Sequence, residues 1–193
     1  ADDGPERVLV HASSLGGAGA SQIRMLRRQY SWRRIPRPMS EGGDVSHVNI
    51  GKVYAAPYQA MLEFNAQAVA AAEDAGLSPL LVELVKVRAS QLNGCAFCLR
   101  MHCADAVKAG ETADRLAVLA GWWESQYFSA EEQAALQIAE NVTMIGDHGR
   151  LADRGVDVEG VLTEKQIAAV TWLAVIINSW NRIAISSHYP VHA

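Results

Sequence analysis

The stretch SPLLVELVKVRASQLNG, residues 78–94, runs directly into CAFCLRMHCADAVKAG, residues 95–110, and this pair decides the fold. Ser78 followed by Pro79 is a helix N-cap with proline at the first helical position. The apolar run Leu80 to Leu92 then ends at Asn93-Gly94, a natural C-terminal stop. A second helix is expected from Cys95 to Ala109, closed by Gly110. Two helices joined by so short a turn must pack antiparallel.

The same punctuation extends outward. Pro57 to Asp74 carries Met61, Leu62, Asn65, Ala68, Val69 and Ala72 on one side and is followed by Gly76. Thr112 to Trp123 reads as a further helix. Ser129-Ala130-Glu131-Glu132 is a capping box opening a helix to about Ile145, and Thr163-Glu164-Lys165-Gln166 opens the last one, to about Ser187. Between them, Gly146 to Gly160 reads as a polar loop. No alternating run bounded by turns suggests a strand. The expectation is an all-α domain of about six helices. Its last helix is apolar around the whole axis, which predicts that Trp180 and its neighbours are covered partly by another subunit.

Half of the 193 residues are apolar and a fifth are charged, a globular composition. The longest uncharged stretch, Gln166 to Asn181, is interrupted by Thr171, Asn178 and Ser179 and falls short of the ~20 residues of a membrane span. A net charge of −4 gives no reason to expect nucleic acid. Three cysteines are too few for a secreted disulfide framework and fit a reducing, cytoplasmic setting. Residues 1–38 stand apart, with seven arginines against three acids, whereas residues 39–193 hold ten basic and eighteen acidic residues. Residues 1–44 are therefore expected to form an irregular, flexible extension to a domain spanning 45–193, with Met39 the expected start of native translation. The apolar run Val8 to Val10 is too short for the core of a secretory signal.

The chemistry concentrates in the central hairpin. On a helix, Cys95, Cys98 and His102 share an arc of about 60°. A C-x-x-C pair near a helix start is favoured as thiolate by the N-terminal dipole, and His102 is expected over the Cys98 sulfur. On that basis Cys98 is the expected attacking thiol and Cys95 the resolving one. Glu83 lies on an apolar helix, where an acid must be paired or exchange a proton. It either serves as base or relay toward the Cys/His face or pairs with Lys86 at the rim. Cys103, near Leu99 and Val107, reads as a small core residue. A zinc site built from Cys95, Cys98, His102 and Cys103 is the competing reading. Adjacent His102 and Cys103 point about 100° apart, so one helix closes such a tetrahedron poorly. No metal or cofactor is expected.

Glu83, Cys95-Ala96-Phe97-Cys98, His102 and Gly110 at these spacings resemble the signature of the alkylhydroperoxidase D (AhpD)-like group of the carboxymuconolactone decarboxylase superfamily. The resemblance continues through Trp122-Trp123, Phe128-Ser129-Ala130-Glu131-Glu132 and Asn178-Ser179-Trp180-Asn181-Arg182, from Val45 to Val191. It implies an all-helical AhpD-like domain, assembly as a homo-oligomer (trimer or hexamer), and catalytic roles for Glu83, Cys95, Cys98 and His102. The implied activity is a thiol peroxidase that reduces a small hydroperoxide and is recharged by a thiol or dithiol reductant or a reductase protein. A non-catalytic redox sensor and a lyase of the decarboxylase kind are the alternatives. Phe97 stands where some relatives carry histidine, so a relay through that position is absent.

Overall fold

The computed structural model describes residues 47–147 and 154–192; the expected extension 1–44 and Met39 lie outside the described residues. Among the described residues there are eight α-helices and no strand. They are α1 (Ile50–Val53), α2 (Ala55–Asp74), α3 (Pro79–Asn93), α4 (Ala96–Lys108), α5 (Ala113–Val118), α6 (Ala130–Thr143), α7 (Val158–Val161) and α8 (Glu164–Ser186). Leu119–Glu124 and Ile145–Asp147 are 3-10 turns.

The caps read from the sequence are made. The Ser78 side chain accepts from the Leu81 N–H, and both capping boxes close, Ser129 with Glu132 and Thr163 with Gln166. Gly94 ends α3 at φ +66°, a left-handed conformation that glycine adopts without penalty. Three boundaries differ from expectation. Cys95 is the N-cap of α4, with φ −84° and ψ 92°, so it stands just outside the first turn. The helix expected over 112–123 is α only to Val118 and continues as a 3-10 turn kinked at Gly121. The loop expected from Gly146 to Gly160 holds short α7 and a 3-10 turn, and residues 148–153 lie outside the described residues.

Helix α3 is the axis of the domain: every residue from Leu81 to Ser90 is buried. It packs against α4, α6 and α8, while α2 lies along α8. Its two sides feed two apolar clusters. One holds Leu81, Val85, Ala89, both Cys95 and Cys98, Leu173, Ile177 and Trp180. The other holds Leu84, Val87, Leu119, Trp122, Phe128 and Leu136. A helix enclosed on all sides must satisfy its polar side chains inside the protein, which is what brings Glu83, Lys86, Arg88 and Ser90 into internal hydrogen bonds.

Helix α8 corrects the expectation for Trp180. Its indole is only 4% exposed within a single chain, packed edge-on against Tyr58. The exposed aromatic on this helix is Trp172, at 51%, resting against Phe64. Helix α8 is long and apolar enough to cross a membrane, but 56% of its apolar window is buried inside the fold, the pattern of a core helix.

Candidate active site

The hairpin of α3 and α4 buries the four expected residues as two groups, with His102 one turn beyond Cys98 on α4. Cys95 and Cys98 are 1% and 2% exposed and not joined by a disulfide. Glu83 and His102 are 5% and 4% exposed and bound to each other, His102 Nδ1 lying 2.7 Å from Glu83 Oε2. The other carboxylate oxygen, Oε1, accepts from Lys86 Nζ at 2.7 Å. Glu83 thus pairs with Lys86 as expected, but inside the fold and not at a rim, and it also binds the imidazole.

Burial would raise the Glu83 carboxyl, but the His102 hydrogen bond and the Lys86 charge outweigh it and hold the pKa down to about 2. Burial also dominates at His102 and pushes its pKa down, the Glu83 bond only partly opposing. Near neutral pH this is an ionised carboxylate beside a neutral imidazole. The proton then sits on Nδ1, where Glu83 accepts it, and Nε2 keeps its lone pair as a base.

That arrangement changes the expected electrostatics of the thiols. His102 is held by Glu83 and is uncharged, so no imidazolium stabilises Cys98 as the helical arc suggested. The charge is favoured at Cys95 instead. The Cys98 thiol donates to it, and against the cost of burial the Cys98 and Phe97 N–H groups and the Asn181 side chain also lower it, to about 7. No conventional side-chain cap bond forms at Cys95, yet its sulfur stands at the N-terminal end of α4 where those amides are unpaired. Cys98 is pushed up by its bond to Cys95, by burial and by the charge there, with Asn181 opposing. Ionisation of the pair is therefore favoured at Cys95, the sulfur that the helical arc did not favour.

Three residues join the site that sequence reasoning did not place there. Asn181 of α8 acts to lower the pKa of both thiols. Tyr189 packs edge-on against Phe97, with ring centroids 5.1 Å apart, and interacts with Cys98 and Tyr58. Tyr58 in turn lines a surface groove with Ile50, Gly51, Tyr54, Pro57, Met61 and Ile183. Asn181 left a signal, a polar residue on an otherwise apolar helix; the tyrosines left none. Cys103 is half-buried beside the Leu84–Trp122 cluster, as a core residue should be. Among the described residues, Glu83, His102 and Asp105 are the acid–imidazole group compact enough for a metal ion. The Lys86 ammonium on Glu83 opposes a cation there, and neither thiol belongs to the group.

Fold and site together define an all-α dithiol protein, with a C-x-x-C pair at a helix start backed by a buried carboxylate–imidazole pair. Comparison with known proteins gives the family. A sequence profile of the carboxymuconolactone decarboxylase family matches residues 55–141, the span from α2 through most of α6. The uncharacterized protein YdfG of Bacillus subtilis is 42% identical over 104 residues, covering 54% of this chain and 71% of that protein. The uncharacterized protein YnjA of Escherichia coli is 34% identical over 64 residues, 33% of this chain and 35% of that one. A crystal structure from Agrobacterium tumefaciens superposes with a TM-score of 0.66 at 27% identity, over 77% of this chain and 100% of that chain. That protein is described as one of unknown function and a candidate antioxidant defence protein, AhpD. The chain belongs to the carboxymuconolactone decarboxylase family, and its fold is AhpD-like.

Proposed function

We propose that the protein is a dithiol peroxidase of the alkylhydroperoxidase kind. The observation that carries this reading is the buried, unlinked Cys95/Cys98 pair at the start of α4, where the Cys98 thiol and the helix-start amides hold the Cys95 pKa down to about 7. A thiolate of the pair attacks one oxygen of a small hydroperoxide and the O–O bond breaks. The sulfur becomes a sulfenic acid and the departing alkoxide takes up a proton to leave as an alcohol. The second thiol then attacks the sulfenic sulfur, water leaves, and a Cys95–Cys98 disulfide remains. An external thiol, dithiol or reductase protein returns both electrons by exchange. The roles of His102 and Glu83 in this scheme are proton handling at Nε2 and orientation of the imidazole.

Hydroperoxide consumption with a dithiol donor tests the reading. Wild type turns over, and Cys95→Ser and Cys98→Ser each lose turnover by at least about a hundredfold; unchanged turnover in either variant rejects it. Reversible oxidation without turnover would identify the redox sensor instead. Activity on a lactone that survives loss of both cysteines would identify a lyase.

The same reading places the protein in a reducing, cytoplasmic compartment and gives it partners that are small molecules and a thiol reductant, with no nucleic acid or membrane. It also includes a homo-oligomer, trimer or hexamer. The support for that is the exposed apolar surface of α8 around Trp172, which a second subunit would cover.

A further inference from the structure

An imidazole set beside two carboxylates is ordinarily drawn into its protonated form. His102 has such neighbours: one carboxylate oxygen each of Glu83 and Asp105 and a ring nitrogen of His102 all lie within 4.8 Å of one another. Each acid is held by a lysine three residues further along its own helix. Lys86 Nζ donates to Glu83 Oε1 at 2.7 Å, and Lys108 Nζ donates to Asp105 Oδ1 at 2.6 Å. The two lysines differ in setting. The Lys108 side chain is 72% exposed, where water and salt screen its charge, whereas that of Lys86 is 3% exposed. A charge inside the protein acts through a lower effective dielectric, so Lys86 weighs more heavily on the imidazole than Lys108 does. It also takes Oε1, leaving Oε2 for His102 Nδ1 at 2.7 Å.

We propose that Lys86 is the positioning residue of the Glu83–His102 pair: bound to the carboxylate oxygen that His102 leaves, it holds Glu83 as an anion and keeps the ring neutral, with its proton on Nδ1 and Nε2 able to accept one. The inference rests on the proton handling given to His102 in the proposed reaction and names the residue that sets the pH range of that step. Without the ammonium, the whole carboxylate charge acts on the ring. The ring then takes a second proton at Nε2 and the pair becomes carboxylate and imidazolium, which can no longer accept a proton. The charged groups bearing on the ring are Glu83 and Lys86 from α3 and Asp105 from α4, with Lys86 and burial opposing the two acids.

The test is a titration of the His102 ring by proton–nitrogen NMR, with its signals assigned by their loss in His102→Asn. Wild type is expected to show a neutral ring protonated at Nδ1 at pH 7. Lys86→Gln, which can still donate to Glu83 but carries no charge, is expected to raise the midpoint by about one pH unit, a roughly tenfold gain in proton affinity. Lys86→Arg, which keeps the charge, and Lys108→Gln, on the surface, are expected to titrate as wild type does. A merely structural role for Lys86 would lower stability and leave the midpoint in place. Circular dichroism identifies the folded variants, and the ring state of wild type keeps the proposal falsifiable if Lys86→Gln unfolds. An imidazolium, or a ring protonated at Nε2 alone, in wild type at pH 7 overturns the proposal. So does a folded Lys86→Gln that titrates like wild type, or a midpoint moved as far by Lys86→Arg or Lys108→Gln. No hydroperoxide enters this measurement, so a protein without peroxidase turnover would reject the proposed activity and leave this result standing.

Discussion

A carboxylate buried on an apolar helix has to be held by its surroundings, and at Glu83 the holding groups are an ammonium and an imidazole. The cost of that arrangement is sensitivity to acid. The folded pKa of Glu83 lies near 2 against an ordinary value of 4.5, so its contribution to stability is complete above about pH 5 and is lost as the pH falls toward 2. Full loss amounts to something on the order of 3 kcal/mol. His102 acts in the same direction. Its folded pKa is below 6.5, so protonation favours the unfolded chain and stability begins to fall once the pH drops below about 6.5. Urea unfolding followed from pH 7 to pH 3 should show a steady decline in wild type. In Glu83→Gln the decline below pH 5 should be clearly shallower, while the variant is less stable than wild type at pH 7. Parallel pH profiles for the two proteins would contradict this account of the pair.

At the scale of elements, most of the hairpin was legible because caps and stops are local. Ser78-Pro79, Asn93-Gly94 and the two capping boxes are written within four residues, and each appears in the structure where the sequence puts it. What local reading misplaced was one residue: Cys95 was expected inside the helix, and as N-cap it stands where the unpaired amides converge. The lowered pKa falls accordingly on Cys95 rather than Cys98. Asn181 was legible only as a polar residue on a largely apolar helix, since its contacts depend on α8 meeting a turn 88 residues earlier in the chain. Gly94 is the testable hinge of the hairpin. Nothing lies within 4 Å of a Cβ placed there, so the cost of Gly94→Ala comes from its φ of +66° alone, about 1 kcal/mol by thermal or urea unfolding. Gly94→Asn, a residue that tolerates this conformation, should recover part of it; an Ala variant as stable as wild type would remove the strain argument.

For the whole molecule, the last helix was read correctly as apolar all round and incorrectly as leaving Trp180 to a partner. The difference is α2: its Tyr58 covers Trp180 from within the chain, a contact that periodicity in α8 does not encode. The surface that remains is Trp172, half exposed beside Phe64. If subunits associate there, light scattering should give a multiple of the 20.9 kDa chain mass for wild type and a value near that mass for Trp172→Glu, with circular dichroism unchanged. A monomeric wild type would exclude the assembly, and an oligomeric, well-folded Trp172→Glu would move it to another face.

The central claim is that two particular thiols, and not the third, exchange electrons with a hydroperoxide. Peptide mass mapping after one equivalent of an organic hydroperoxide is added to the reduced protein tests it most directly. The account predicts that the peptide holding Cys95 and Cys98 loses two hydrogens, that one alcohol forms per peptide oxidised, and that Cys103 remains an alkylatable thiol. Unconsumed hydroperoxide, or oxidation appearing first at Cys103 while Cys95 and Cys98 stay reduced, would contradict it.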